Sequence, residues 1–301
     1  MTPFAEPFCD NLRLTFPLGE DGGSPPVFAA VMAYLKGFCG YAERLDGKSW
    51  DCGAYGGVLY AGKQFGIFAM QFSGGLLRTL REGDALRELV MLLNEYPCTV
   101  TRLDASCDYA VSAPDYLASL YYRIRRESIV LGQKVVSYRD VERHTSVNAE
   151  GRQVHNLYLG KKTAEIRVLV YDKRHEQVSK GKADIGNMLR VEVRLKSQVR
   201  CTLFDALSPE RVYYHYAAPA LVSLPESVRP WEANGQGFEV QRKQSNFTTY
   251  ERLKLLVEES ASIKQALRLI ARADSGGMVA FMHLLEHRMA ADALPSLSDG
   301  L

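Results

Sequence analysis

The chain has 301 residues, of which 47% are hydrophobic and 24% charged, a composition typical of a globular protein with a sizeable core. It contains no run of about 18 uncharged apolar residues, and its N-terminus lacks the basic and apolar regions of a signal peptide, so we expect neither a membrane span nor a leader. The six cysteines lack Cys-x-x-Cys spacing, which argues against a structural zinc site and favours free thiols in a reducing compartment, the cytoplasm.

Positive charge is concentrated in the middle of the chain. The formal net charge is +2, yet residues 121–200 contain 18 Lys and Arg against 9 Asp and Glu. A basic segment inside a nearly neutral chain indicates an anionic partner, with nucleic acid first, although a solvated basic surface has the same composition.

The first part of the chain mixes helical and extended patterns. Residues 1–26 include the stretch "PLGEDGGSPP", whose Pro and Gly residues predict a flexible N-terminal arm. A helix is predicted next in "PVFAAVMAYLKGFCGYAE", and two strands joined by an Ala-Gly-Lys turn follow in "GVLYAGKQFGIFAMQFSGG". The segment "LLRTLREGDALRELVMLLNEY" is predicted to be helical with a break near Gly83. A strand in "CTVTRLDASCDYA" and a helix in "DYLASLYYRIRRES" after Pro114 complete this part.

The middle of the chain is rich in strands and the end is helical. Strands are predicted in "KVVSYR", "VHNLYLG", "AEIRVLVYDKR" and "MLRVEVRLK", followed by a helical region near 201–222. We therefore predict an α+β fold, with a central antiparallel sheet that has helices on one face and a polar catalytic face on the other. The predicted organisation is a catalytic domain over 27–222, a linker over 223–246 and a C-terminal helical segment over 247–301 for assembly or DNA recognition.

Three of the predicted strands combine one apolar face with one face of mixed acids and bases. Successive side chains of a strand point to opposite faces of the sheet, so every second residue shares a face. The polar sets are Arg102, Asp104, Ser106 and Asp108 in the first strand, Arg167, Tyr171 and Lys173 in the second, and Arg190, Glu192, Arg194 and Lys196 in the third. Stacked in one sheet, they form a surface of carboxylates, arginines and a tyrosine.

Such a surface can support phosphoryl transfer. Carboxylates hold hard divalent cations through oxygen, so we expect Mg²⁺ or Mn²⁺. Asp104 and Asp108 lie about 13 Å apart along a regular strand, which makes Asp104 with Glu192 the better ligand pair and leaves Asp108 a weaker candidate. Tyr171 is the candidate nucleophile, and arginines and lysines would offset charge on the phosphate.

Four segments together resemble a known family. They are "YGGVLYAGKQFGIFAMQFSGGLLRTL", "TRLDASCDYA", "YLGKKTAEIRVLVYDKRHEQ" and "LRVEVRLK", which cover roughly residues 50–200 in order. These segments resemble motifs of the replication initiators of the Rep_trans type, found in rolling-circle plasmids and filamentous phages. The chain has no His-hydrophobic-His pair of the kind that many other rolling-circle initiators use, which fits a carboxylate-held ion.

The resemblance implies a DNA nickase and strand transferase of a bacterial host cytoplasm. The tyrosine of the family's Arg-x-Tyr-Asp/Asn-Lys motif attacks the origin strand and becomes joined to its 5′ phosphate. Carried over, that residue is Tyr171, with Lys173 beside it and Arg167 four positions before it rather than two. Tyr158 is the rival nucleophile and Tyr109 a third candidate.

The predicted partner is origin DNA, both double- and single-stranded. The basic residues expected to contact phosphate are Lys161, Lys162, Lys173, Arg174, Arg190, Arg194 and Lys196. A host helicase and a second copy of the chain are further expected partners.

Two alternatives remain open from the sequence. A hydrolytic nuclease would use the same acids with water as nucleophile, so that Tyr171→Phe leaves cleavage largely intact. A non-catalytic DNA-binding relative would be indifferent to divalent ions, while salt would weaken its binding steeply.

Overall fold

A large antiparallel sheet organises the part of the chain that the computed structural model describes, which is residues 6–132, 134–147, 151, 153–196, 201–218 and 220–222. Ten strands follow the order β2-β3-β4-β5-β1-β6-β12-β11-β10-β9, and β7 pairs with β8 in a small separate sheet. The strands are β1 Phe8–Phe16, β2 Tyr41–Glu43, β3 Ser49–Cys52, β4 Gly57–Gln64, β5 Ile67–Ser73, β6 Thr99–Tyr109, β7 Ile129–Leu131, β8 Lys134–Val136, β9 Val141–Val147, β10 Gln153–Leu159, β11 Ile166–Asp172 and β12 Leu189–Lys196.

Helices occupy the connections between these strands. They are α1 Pro26–Phe38, α2 Gly74–Glu82, α3 Leu86–Asn94, α4 Ala113–Arg126, α5 Lys173–Ser179 and α6 Pro209–Ala217, with short 3₁₀ helices at Tyr138–Asp140 and Leu203–Ala206. A proline lies in the first turn of α1, α4 and α6, where a missing backbone N–H needs no partner. The predicted break near Gly83 is confirmed, since α2 ends there.

The alternation along the strands gives the sheet one apolar and one polar face. Leu103, Ala105 and Cys107 of β6 are fully buried, and α6 packs on β6 and β12 while α4 packs on β10 and β11. The intervening residues of these strands carry the polar groups. The predicted α+β class with an antiparallel sheet and a polar face is therefore confirmed, apart from the C-terminal helical region, which lies outside the described residues.

The prediction of a flexible arm over 1–26 is wrong for the segment that forms β1. This strand lies inside the sheet between β5 and β6, and its Leu12, Leu14 and Phe16 are buried. The alternation "NLRLTF" is that of a half-buried strand. The Pro- and Gly-rich stretch that follows is the connection from β1 to α1 rather than part of an arm.

Two predicted boundaries also need correction. The hairpin between β4 and β5 turns at Phe65 and Gly66, whose φ values of 50° and 75° suit a tight hairpin turn, and not at the Ala-Gly-Lys triplet, which lies in β4. Lys173 is not on the strand with Tyr171. It begins α5, because the Asp172 carboxylate accepts a hydrogen bond from the backbone N–H of His175 and caps the helix.

The described residues fall, apart from the turn at 64–66, in one unit that comprises 1–63 and 67–243. The predicted linker and C-terminal helical segment lie outside the described residues, except that residues 201–222 contain the predicted helical region as a 3₁₀ helix and α6. Among the described residues, no helix is both long and apolar enough to cross a membrane. The cysteines at 9, 39, 52, 98, 107 and 201 are free thiols.

Candidate functional site

A cleft of about 1470 Å³ lies over the polar face of the sheet. Its floor comes from β1, β6, β12, β11 and β10, and residues of α2 and α5 line its sides. The three strands whose polar faces were predicted to combine, β6, β11 and β12, are adjacent in the sheet. The structure therefore brings eight of the predicted residues into the cleft, and Arg167, Lys161, Lys162, Arg174 and Lys196 are not among its lining residues. The eight are Asp104, Asp108, Tyr158, Tyr171, Lys173, Arg190, Glu192 and Arg194.

The strand register arranges the cleft residues in rows across the sheet. In one row Tyr171, Arg190 and Asp108 are neighbours; in the next row Tyr158, Leu169, Glu192 and Ser106 follow each other; a third row contains Arg167, Arg194, Asp104 and Asn11. Directly opposed residues of an antiparallel pair have Cβ atoms about 5 Å apart. Side chains that face each other on neighbouring strands, such as Tyr171 and Arg190 or Arg194 and Asp104, are therefore within contact distance.

Asp104 and Glu192 form a buried acidic pair, exposed by 2% and 4%. Arg194 links them: its Nη2 lies 2.6 Å from Oε1 of Glu192 and its Nε lies 3.4 Å from Oδ2 of Asp104. Arg102 also hydrogen-bonds Asp104. Burial and then the charge of Asp104 raise the pKa of Glu192 to about 7, against the opposing effect of Arg194.

Two further oxygens beside this pair lack a hydrogen-bond partner among the described residues. Asn11 lies opposite Asp104 and its buried Oδ1 accepts no hydrogen bond, and the same holds for the buried Oγ of Ser106, which lies opposite Glu192. A buried oxygen without a donor is unfavourable, and two carboxylates with an amide oxygen are a donor set that suits Mg²⁺ or Mn²⁺. The residues fit a hard cation, although no group of three or more His, Cys, Asp or Glu in the described part of the chain is arranged to hold one.

Asp108 is engaged in a different interaction. Arg190 donates to both of its carboxylate oxygens, at 2.6 and 2.8 Å, and its third nitrogen lies 3.1 Å from Asp10. Arg190 is exposed by 7% and also lies 5.0 Å from the centre of the Phe8 ring. This bidentate pair occupies the Asp108 oxygens, which favours a structural role for Asp108 over metal ligation.

Tyr171 faces the cleft from β11, directly opposite Arg190. Burial raises the pKa of its phenol well above the usual value of 10. The Arg190 guanidinium acts in the opposite direction, while the carboxylates of Glu192, Asp10 and Glu176 add to the increase. Burial and the neighbouring carboxylates therefore hold the phenol in its neutral form. A positive charge near Glu192, Asp10 and Glu176 would favour the phenolate.

Lys173 reaches Tyr171 from the first turn of α5. Its Nζ lies 5.7 Å from the centre of the Tyr171 ring and hydrogen-bonds Glu176. Glu176 also bonds Lys180, so one carboxylate holds two lysines at the side of the cleft. Lys173 thus remains beside the tyrosine although it is not on the strand.

Tyr158 also lines the cleft, in the row of Glu192. The Arg167 guanidinium lies 4.4 Å from its ring centre and the His144 ring 4.8 Å from it. Arg167 also forms an ion pair with Glu142, with 2.6 Å between Nη2 and Oε2, so it accompanies Tyr158 rather than Tyr171. Tyr109 faces the apolar side, where it is 1% exposed and hydrogen-bonds Tyr213 at 2.9 Å, so its candidacy as a nucleophile is wrong.

Most of the basic residues predicted to contact phosphate already have side-chain partners in the chain. Arg190 and Arg194 are in the ion pairs described above, and Arg174 bonds Asp184 at 2.7 Å. Lys196 donates to the backbone carbonyl of Lys162 at 2.6 Å, while Lys161, which is exposed, lies 3.8 Å from Asp140. Their role in DNA binding stays a prediction.

Sequence reasoning missed the residues that β1 contributes. Phe8, Asp10 and Asn11 all line the cleft, and Asp10 is the extra residue of a bulge between Cys9 and Asn11. The alternating pattern of β1 is the signal that could have placed them. Nothing local in the sequence indicates that Asp10 meets Arg190.

A comparison with family models places the chain. A model described as "Replication initiation factor" (Rep_trans) matches residues 98–297, well over half of the chain. The chain belongs to this family of replication initiation factors, the same family that its motifs resemble.

The chain was also compared with curated proteins and with solved structures. No curated protein matches the chain. Among solved structures, it is similar to a rolling circle replication initiator protein from Geobacillus stearothermophilus, with 20% identity, coverage of 64% of this chain and 74% of that chain, and a TM-score of 0.41.

Proposed function

We propose that this replication initiation factor starts rolling-circle replication by nicking origin DNA. Tyr171 Oη attacks a phosphodiester, the new bond joins the tyrosine to the 5′ phosphate, and the bond to the 3′ oxygen breaks to leave a 3′ hydroxyl. The reverse reaction rejoins strands. The observation that carries the proposal is the cleft, where a tyrosine, a buried acidic pair and several arginines share one sheet face.

The residues around Tyr171 have distinct tasks in this reaction. Arg190, opposite the tyrosine, stabilises the phenolate, as its effect on the pKa of Tyr171 indicates. Lys173, whose Nζ lies 5.7 Å from the centre of the Tyr171 ring, can meet a phosphate oxygen. Asp108 and Asp10 hold Arg190 in place.

Asp104, Glu192 and Asn11 would hold Mg²⁺ or Mn²⁺ in this proposal. When bound, the cation supplies positive charge that offsets the carboxylates near Tyr171 and polarises the phosphodiester. Asn11 is the third ligand in this proposal because its Oδ1 is buried without a partner among the described residues. Asp104 and Glu192 are paired with arginines as Asp108 is, so Arg102 and Arg194 would have to release carboxylate oxygens to the cation.

Covalent attachment tests the nucleophile. The full chain is incubated with supercoiled origin DNA and Mg²⁺, denatured with detergent, and examined for protein joined to DNA. Tyr171→Phe should abolish the adduct and keep DNA binding, whereas Tyr60→Phe, on an exposed tyrosine of β4, should leave it unchanged. Adducts that persist in Tyr171→Phe and vanish in Tyr158→Phe would transfer the role to Tyr158.

Binding of Mn²⁺ tests the ligands without activity. Asp104→Asn, Glu192→Gln and Asn11→Leu should each weaken Mn²⁺ binding about tenfold or more in titration calorimetry. Asp184→Asn is the matched control, since Asp184 is an exposed acid paired with Arg174, and neither residue lines the cleft. Equal affinity in all four variants would contradict the proposed site.

A second candidate function is supported by a specific observation. Asp104, Asp108 and Glu192 each already contact an arginine, so the cleft could be a charge-neutral structural network in a non-catalytic DNA-binding relative. That candidate predicts origin binding without divalent ions and no adduct from any tyrosine variant. If cleavage instead survives in Tyr171→Phe and Tyr158→Phe, a hydrolytic nuclease is favoured. The origin sequence, a host helicase and a second copy of the chain are the partners we expect for the nicking reaction.

A further inference from the structure

A cluster of tyrosines and arginines lies on the other side of the sheet from the cleft, at the β9 edge. We call it the Tyr–Arg patch. It consists of Tyr121, Tyr122, Arg125 and Arg126 on α4, Tyr138 on the first 3₁₀ helix and Arg143 on β9. Arg143 pairs in register with the buried Leu157, so it shares the face that α4 covers, whereas Glu142 pairs with Tyr158 on the cleft side.

The rings and guanidinium groups of the patch contact each other. The Tyr121 and Tyr138 hydroxyls are hydrogen-bonded at 2.8 Å, and their ring centres are 5.7 Å apart. Arg143 lies 4.6 Å from the Tyr121 ring centre, Arg126 lies 5.2 Å from that of Tyr122, and Arg125 lies 5.9 Å from that of Tyr138. These contacts join Tyr121 and Arg125 of α4 to Tyr138 of the 3₁₀ helix and Arg143 of β9, and the Tyr122–Arg126 pair lies next to them along α4.

The patch is open to solvent. Tyr122 is 60% exposed and Tyr138 is 45% exposed, and the side chains of Arg125, Arg126 and Arg143 are also exposed. Exposed rings that lie close together can mark an interaction site, whereas single exposed apolar residues are ordinary.

The arginines of the patch have no carboxylate partner among the described residues. Arg125, Arg126 and Arg143 each lie against a tyrosine ring. The arginines on the strands of the cleft floor differ, since Arg102, Arg190 and Arg194 are each bonded to an acid. The patch therefore offers unneutralised guanidinium groups beside accessible aromatic faces.

We infer that the Tyr–Arg patch binds single-stranded DNA. Guanidinium groups meet backbone phosphates, and exposed rings stack on bases, which they can do only when the bases are unpaired. A duplex would meet the arginines but leave the rings of Tyr122 and Tyr138 without stacking partners. The inference rests on the proposed function in that DNA is the ligand, but it uses no residue of the cleft.

Fluorescence anisotropy with the full chain tests the inference. The probes are a labelled oligothymidylate and a duplex of the same length. Tyr122→Leu keeps apolar volume but removes the ring, and it should weaken oligothymidylate binding about tenfold while duplex binding changes little. The matched control is Tyr60→Leu, which alters a tyrosine that is 43% exposed on another part of the sheet.

Charge is tested separately by Arg126→Ala/Arg143→Ala. The slope of log affinity against log salt for oligothymidylate should fall by about 0.7 for each arginine removed. Lys36→Ala/Arg211→Ala removes the same number of exposed charges from α1 and α6 and should leave the slope unchanged. Should the double variant lose its thermal transition, Arg126→Gln measures one charge with the apolar stem retained.

The outcomes separate this inference from the proposed function. Unchanged oligothymidylate binding in Tyr122→Leu, or an equal loss on duplex and oligothymidylate, would overturn the inference. Adduct formation on origin DNA by the wild-type chain is measured alongside. If adducts form but the patch variants bind oligothymidylate as well as the wild type, only the inference about the patch is overturned. If the patch variants bind oligothymidylate more weakly but no adduct forms, the result supports the patch and counts against the nicking proposal.

Discussion

In the cleft, Arg190 and Arg194 each lie against a carboxylate that is largely buried with them, whereas in the Tyr–Arg patch Arg126 and Arg143 lie on tyrosine rings and face solvent. The two regions use the same residue types on opposite sides of one sheet. Burial explains the difference, because removing a charge from water is costly unless an opposite charge accompanies it. Arginines on the cleft floor are therefore neutralised in place, while those at the surface remain available to a phosphate.

This comparison changes which basic residues are expected to hold DNA. A run of arginines in the sequence gives positive charge to both regions, but only an arginine without a local acid contributes a net positive field. The cleft is then a site for positioning one phosphate, and the patch a site for following a strand. The predictions below test this division, beginning with the largest expected effect.

Stability distinguishes a buried arginine from an exposed one. Arg190→Met leaves Asp108 and Asp10 without their partner and should lower the free energy of unfolding by about 3–5 kcal/mol. Arg126→Met removes an exposed arginine that lies on a tyrosine ring, and its effect should stay within about 1 kcal/mol. Urea unfolding of both variants measures the difference.

The Arg190 prediction has an internal check. Asp108→Asn in the Arg190→Met background removes the stranded charge and should restore part of the lost stability. A loss below about 1 kcal/mol in Arg190→Met would show that water reaches the pair, and the comparison between the two regions would fail.

The pH dependence of stability tests the acidic pair. The pKa of Glu192 is raised from 4.5 to about 7 in the folded chain, so the neutral form stabilises the fold. Its contribution is complete below about pH 4.5 and is lost as the pH rises through 7, on the order of 3 kcal/mol in total. Since Gln resembles the neutral acid, Glu192→Gln should match the wild type at low pH and exceed its stability above pH 7, in chelator.

Glu176 supplies a control of opposite sign. Burial alone would raise its pKa, but Lys173 and Lys180 outweigh burial and lower the pKa below 4.5. Glu176→Gln should therefore be less stable than the wild type at neutral pH, and the difference should shrink as the pH falls. Urea unfolding across this range measures both variants, and a Glu192→Gln profile parallel to that of the wild type would contradict the raised pKa of Glu192.

The sequence predicted the polar face well because that face depends on local alternation. Asp104, Tyr171 and Glu192 belong to strands whose period-two pattern is unbroken, and the pattern alone assigns each side chain to a face. Adjacency of the three strands then places them in one cleft. The family resemblance identified the same strands from their motifs.

Contacts between distant segments could not be predicted in this way. Asp10 meets Arg190 across 180 positions of sequence, and a bulge places Asp10 where simple alternation would not. The patch contains some contacts that local sequence spacing predicts and others that it does not. The spacing of Tyr121 with Arg125 and of Tyr122 with Arg126 is visible as i, i+4 pairs on one helix. The participation of Tyr138 and Arg143 depends on how β9 packs beside that helix.

The smallest expected effect concerns the bond between the two tyrosines of the patch. Tyr138→Phe removes the hydroxyl bonded to Tyr121 and leaves the ring in place. Because Tyr138 is 45% exposed and water replaces the lost partner, the free energy of unfolding should fall by no more than about 1 kcal/mol. Oligothymidylate affinity should stay within about twofold of the wild type, since stacking uses the face of the ring and not its hydroxyl. Urea unfolding and anisotropy on the same preparation provide both values. A loss of affinity as large as that of Tyr122→Leu would show that the hydroxyl itself contacts the DNA, and the patch would then act by hydrogen bonding rather than by stacking.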